Sequence, residues 1–112
     1  MSIEGTDRLS ITTERGVFRD VRSDDLAAAV VKALVERTGV DPTAIEDVVL
    51  GNTQQQKEQG FNVGRIVALL AGLPSTVGGA TVNRLCGSSL QALNQAAHAV
   101  SAGAEDVQIV GG

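Results

Sequence analysis

The residue best suited to chemistry in this 112-residue chain is its single cysteine, Cys86. It follows Ala80-Thr81-Val82-Asn83-Arg84-Leu85, which suits a strand, and it precedes Gly87, Ser88 and Ser89 at the start of a helix expected over 88–102. A thiol at such a corner faces unpaired backbone N–H groups and the positive end of the helix dipole, which favour the thiolate, the form that attacks carbonyl carbon. Gly87 removes a side chain where a substrate would approach. The arrangement repeats the physics of the serine elbow of hydrolases without their G-x-S-x-G sequence. The alternative is a small apolar side chain in the core, since free cysteine is among the most buried residue types.

A thiol nucleophile generally needs a base, and His98 is the one histidine present. Twelve residues of continuous helix at 1.5 Å each would put it about 18 Å from Cys86. Proton transfer needs about 3 Å. His98 therefore reads as a hydrogen-bonded, buried side chain on a neutral polar stripe with Gln91, Asn94 and Gln95. Carboxylates such as Glu58 and Asp106 are poor bases for a thiol. The remaining machinery is expected in another chain or in sequence beyond these residues.

The elements that must position Cys86 follow from spacing and capping residues. The twenty positions 85–104 hold no Asp, Glu, Lys or Arg in a chain that is 20% charged, so the helix after Cys86 is expected to be a buried, central one. Upstream, Ser23 is an N-cap candidate, with Asp24 and Asp25 behind it where the dipole favours acids, and Leu26, Val30, Ala33 and Leu34 recur at helical spacing until Gly39. Asp41-Pro42-Thr43 begins a short further turn. Asp47-Val48-Val49-Leu50-Gly51 reads as a buried strand. The polar run from 52 to 60, with Gln54, Gln55, Gln56 and Gln59, reads as a loop. A helix over 63–71 carries Ile66, Leu69 and Leu70 on one face, and Gly72-Leu73-Pro74 ends it. Val107-Gln108-Ile109-Val110 is a last short strand, and Glu14-Arg15-Gly16 is placed to turn a hairpin between Ile11 and Val17. Strand, helix, strand in this order is a βαβ unit, so the fold class is α/β with a helix-covered parallel arrangement.

Composition excludes several functions. One Cys and one His provide neither an internal disulfide nor a metal cluster, and a lone thiol fits a reducing compartment. A net charge of -4 with 2% aromatic residues provides no phosphate-neutralising patch and no stacking platform, so no nucleic acid is expected. No apolar run approaches the ~18 residues of a membrane span. No basic segment followed by an apolar stretch opens the chain, and a soluble, cytoplasmic protein is expected.

The run Val82-Asn83-Arg84-Leu85-Cys86-Gly87-Ser88-Ser89-Leu90-Gln91-Ala92-Leu93 closely resembles the active-site segment of thiolases, the acyl-CoA acetyltransferases that cleave 3-ketoacyl-CoA. The resemblance continues upstream through Gly51-Asn52-Thr53-Gln54-Gln55, Glu58-Gln59-Gly60-Phe61-Asn62, Arg65 and the segment beginning Gly16-Val17-Phe18-Arg19-Asp20, all similar to the early part of the fatty-acid-degrading branch. It implies a duplicated α/β fold of mixed sheets packed around buried helices, of which residues 16–112 would form part of the N-terminal half. Residues 1–15 lack the family's opening strand and Arg-Thr-Pro turn and read as an atypical amino-terminal segment. By resemblance Cys86 is the nucleophile that becomes acylated, its backbone N–H helping to form an oxyanion hole; Ser88 and Ser89, read from their position alone, cap the helix. The substrates implied are acyl-CoA and CoA, with no metal or other cofactor. The polar segment from Asn52 to Asn62 and the strand around Val82 and Asn83 resemble the family's dimer interface, implying a homo-oligomer. The activating His, a second Cys and a Gly-rich oxyanion segment belong to the family's carboxy-terminal half and are not among these residues. The alternative function is an inactive truncated fragment that serves only for association or for acyl-CoA binding.

Overall fold

Helix α1, over Ser23–Thr38, places Asp24 and Asp25 in its first turn and ends at Gly39, whose left-handed backbone (φ 70) returns its N–H to Val35 C=O. It belongs to a computed structural model that describes residues 18–112; the hairpin expected between Ile11 and Val17 and the segment 1–15 lie outside those residues. Ser23, expected as the cap, is instead the first helical residue, and its Oγ is buried without a hydrogen-bond partner among the described residues. The N-cap position falls to Arg22, whose side chain turns to Asp24.

Asp24 is 4% exposed and accepts Arg22 Nε at 3.0 Å, Arg22 Nη2 at 2.8 Å and the Asp25 N–H at 3.0 Å. The hydrogen bonds from Arg22 are the main reason its carboxyl is held below the ordinary range, against the opposing effect of burial. A carboxylate lowered in this way adds stability that is complete above its unfolded value of about 3.9 and disappears as pH falls through the folded value. Asp24→Asn is therefore expected to lower Tm by about 5 °C at pH 7. The difference from the parent should shrink on acidification from about pH 3.9 downward, as thermal melts along a pH series will show.

A 3-10 turn at Pro42–Ala44 follows, with Asp41 capping it by accepting the Thr43 N–H at 2.9 Å. Strand β1 is Asp47–Gly51, helix α2 Val63–Leu70, strand β2 Ala80–Val82, helix α3 Ser88–Ser101 and strand β3 Gln108–Gly111. The three strands form a parallel sheet in the order β2-β1-β3, with Val49 opposite Ala80 and Val48 opposite Ile109. The chain thus leaves central β1 through α2 to reach one neighbour, then returns through α3 to the other. Val48, Ile109, Val67, Val77, Ala28 and Val31 form one core between the sheet and helices α1 and α2. Val49 alternates to the other side of the pleat, where α3 packs on β1 and β3 and buries Ser88, Ala92 and Ala96. The α/β class read from the sequence is the class observed. Among the described residues no helix is long and apolar enough to cross a membrane.

The buried faces of two helices are set by the sheet, and that of α3 corrects an expectation. Helix α2 buries Val63, Gly64, Val67 and Ala68, whereas Leu69 and Leu70 are 46% and 50% exposed. The helix comes so close to the sheet at Gly64 that a Cβ there would overlap the Ala80 carbonyl, and Leu69 and Leu70 turn outward. Likewise α3 rests on the sheet through the Ser88, Ala92 and Ala96 row, so His98, expected to be buried, is exposed with Asn94 and Gln95 on the opposite side. Leu90, also in this uncharged helix, is 60% exposed.

Candidate active site

The strand expected to run to Leu85 stops at Val82. Asn83 turns the chain by accepting the Leu85 N–H on its Oδ1 at 2.9 Å, an Asx turn. Leu85 then adopts φ 49, a left-handed conformation that costs an L residue about 1–2 kcal/mol. Gly87 N–H returns to Arg84 C=O and Ser88 N–H to Leu85 C=O, each at 3.0 Å. Cys86 sits at the outer bend of this elbow, two residues before α3, and is exposed. Among the described residues, Cys86 is therefore not a core side chain.

Among the described residues no side chain caps the first turn of α3; the Ser88 N–H is returned to Leu85 C=O, and the N–H groups of Ser89 and Leu90 are left uncapped. Ser88 was expected to cap this turn. Its Oγ instead points backward, accepting Arg84 N–H at 2.8 Å and donating to Leu85 C=O at 2.6 Å, and the residue is 5% exposed. Ser89 is exposed. Arg84 Nη1 donates to Gln91 Oε1 at 2.6 Å, tying the elbow to the polar stripe of α3. A Cβ built on Gly87 would meet only Arg84 C=O, at 3.5 Å. The described fold does not itself demand a glycine there.

The segment from Asn52 to Asn62 leaves the carboxyl end of β1, beside the elbow that leaves the carboxyl end of β2. Asn52 N–H donates to Val82 C=O at 2.9 Å, so the two loops share a hydrogen bond. Asn52 also organises its own loop, donating from Nδ2 to Gln59 C=O at 3.2 Å and accepting Gln54 N–H at 3.0 Å. At the far end Asn62 Nδ2 donates to Gly79 C=O at 2.7 Å, and its Oδ1 accepts the Thr81 hydroxyl at 2.8 Å. Phe61, at φ 51, is 97% exposed. Because α2 and α3 cover opposite faces, the exits of adjacent β1 and β2 diverge, and such a divergence opens the crevice where α/β sheets bind ligands. His98, in the last turn of α3, is at the opposite end of the helix from Cys86.

Sequence reasoning placed Cys86 at its corner but missed Asn83, Leu85 and Ser88 as the parts that build it. For Asn83 a signal existed, since Asn at the end of a short apolar run favours a turn. For Ser88 none did, because a serine in a first helical turn normally caps forward.

Together these features define an α/β protein with an exposed cysteine on an elbow at the carboxyl edge of a parallel sheet. The sequence matches the thiolase N-terminal domain family over residues 1–112, and the chain belongs to the thiolase family. It is 54% identical over 100 residues to the 3-ketoacyl-CoA thiolase of Psychrobacter arcticus. It is 52% identical over 101 residues to the proteins of that name from Shewanella sp. (strain MR-7) and Aliivibrio salmonicida. Each match takes in 89% of this chain and 26% of the relative, so the chain spans about a quarter of the length of these curated relatives.

Proposed function

We propose that Cys86 is the acyl acceptor of a thiolytic acyl transfer carried out by the complete protein. Its sulfur bonds to the ketone carbon of a 3-ketoacyl-CoA, the bond between that carbon and the next breaks, and the departing acetyl-CoA carbanion takes up the proton that the thiol released. The shortened acyl group stays on Cys86 as a thioester until the thiol of a second CoA removes it. Atoms and electrons balance without an oxidant or reductant. The observation that carries this reading is the exposed thiol on an elbow whose following helix presents uncapped N–H groups, where the negative charge of a tetrahedral oxygen is stabilised. The names of the relatives support the substrate class.

The test is covalent. On exposure of the folded chain to p-nitrophenyl acetate, mass spectrometry is expected to find one acetyl group, on the peptide holding Cys86, formed faster than in urea-unfolded chain. Cys86→Ser should remove it. Acetylation of the Cys86→Ser protein at the same site, or a folded chain no faster than the unfolded one, would refute the assignment.

The same reading includes association with a second copy through the segment from Asn52 to Asn62 and the strand around Val82 and Asn83. It is supported by β2 lying at the sheet edge and by the exposed ring of Phe61, since unpaired edges and projecting aromatics favour partners. Phe61→Ser is expected to weaken self-association about tenfold in sedimentation equilibrium. A variant that associates as tightly as the parent rules this surface out.

A further inference from the structure

The hydroxyl of Ser88 joins the two sides of the Cys86 bend through the backbone, beside the side-chain bond from Arg84 to Gln91. The two hydrogen bonds of the hydroxyl run to Arg84 N–H and Leu85 C=O, at 2.8 and 2.6 Å, so a ring of five residues closes with Cys86 near its middle. Within that ring Leu85 is held at φ 49 although its side chain is 70% exposed and gains little from packing. Packing therefore does not hold Leu85 in the left-handed conformation; hydrogen bonds do, the Asn83 side chain on its N–H and the Ser88 backbone N–H and hydroxyl on its C=O. Ser88 is the one buried residue between Asn83 and Leu90, anchored on the end of β1 where its backbone lies against Gly51. The sheet thus fixes Ser88, and Ser88 fixes the bend.

We infer that Ser88 is a positioning residue for Cys86: its hydroxyl transmits the placement of the sheet to the thiol by locking the Arg84–Leu85 peptide in the turn. The inference rests on the reading of Cys86 as acyl acceptor. With alanine at 88, Arg84 N–H loses its acceptor and Leu85 is free to return to an ordinary conformation, which moves the thiol relative to the N–H groups of α3.

Acetylation of the 112-residue chain by p-nitrophenyl acetate, followed well below each variant's Tm, separates the possibilities. Ser88→Ala is expected to slow acetylation of Cys86 about tenfold and to abolish the slow hydrogen exchange of the Arg84 amide, while Ser89→Ala leaves both within twofold of the parent. Leu85→Gly in the Ser88→Ala background should recover most of the rate, because glycine takes the left-handed conformation without help; a role confined to overall stability would not be rescued this way. Ser88→Thr, which keeps the hydroxyl, should stay within about threefold and carries the comparison if Ser88→Ala does not fold. Rates for Ser88→Ala within twofold of the parent, or a double variant as slow as Ser88→Ala, overturn the inference and leave the assignment of Cys86 standing. A parent chain that reacts no faster folded than unfolded overturns both.

Discussion

Gly64→Ala is expected to destabilise the folded chain by about 3 kcal/mol or more, lowering the urea midpoint by about 2 M at an m-value of about 1.5 kcal/mol/M. A Cβ at this position would lie 2.2 Å from the Ala80 carbonyl oxygen, 2.9 Å from its carbon and 3.0 Å from the Val48 carbonyl oxygen. All three are backbone atoms of paired strands, in register at Val49 and Ala80, and none can rotate away. Relief requires α2 to lift off the sheet. That movement would break the Gly64 N–H bond to Thr81 Oγ1, 3.0 Å, and open space around Val67 and Val48, both fully buried, adding the cost of a cavity to that of the overlap. For a domain of this size the whole stability is of order 10 kcal/mol, so one methyl group removes a large share of it. A midpoint shift below about 0.5 M would mean that the close approach of α2 to β1 and β2 is not what holds this layer.

The second large effect is expected at Gly51, the last residue of β1, and it reaches the thiol. A Cβ there would sit 2.5 Å from Ser88 C, 2.6 Å from Ser89 N and 2.7 Å from Ser88 O. These atoms form the first turn of α3, so Gly51→Ala must push that turn outward by about 1 Å to reach ordinary contact. Ser88 travels with the turn, and its bonds to Arg84 and Leu85 are strained together. Acetylation of Cys86 by p-nitrophenyl acetate is expected to fall at least tenfold, in line with what a misplacement of about 1 Å does to a reacting group. The core between the sheet and α1 and α2, on the other face, should survive, so that far-ultraviolet circular dichroism stays close to the parent's. Unchanged acetylation in a folded Gly51→Ala chain would show that the elbow tolerates displacement of the helix beneath it.

Gly64 and Gly51 also explain which parts of the fold could be read in advance. Short-range signals were reliable. Asp24 and Asp25 followed by an apolar repeat and Gly39 bracket α1; Asp41 and Pro42 set the turn that follows; and the run from Asp47 to Gly51 is strand β1 over those same residues. In each case the determining groups lie within a few positions of one another, so the chain carries the instruction locally. The packed face of α2 was not legible in this way. Ile66, Leu69 and Leu70 form the more apolar row, yet the buried row is the one with Gly64 and Ala68, because at Gly64 the sheet backbone comes too near even for a Cβ. The exposed position of His98 is of the same kind: polar and small residues alternate around α3, and only contact with β1 and β3 selects the Ser88, Ala92 and Ala96 row.

The cysteine divides along the same line. That Cys86 stands between a strand and an uncharged helix, with Gly87 beside it, follows from residue types and spacing in a single stretch of chain. Its exposure on a bend, the left-handed Leu85 and the backward hydrogen bonds of Ser88 came only with the packed structure. The reason is physical: a helix or a cap is decided by neighbours along the backbone, whereas this elbow is decided by how closely α3 settles on the end of β1, a distance fixed by Gly51, a residue 35 positions before Cys86.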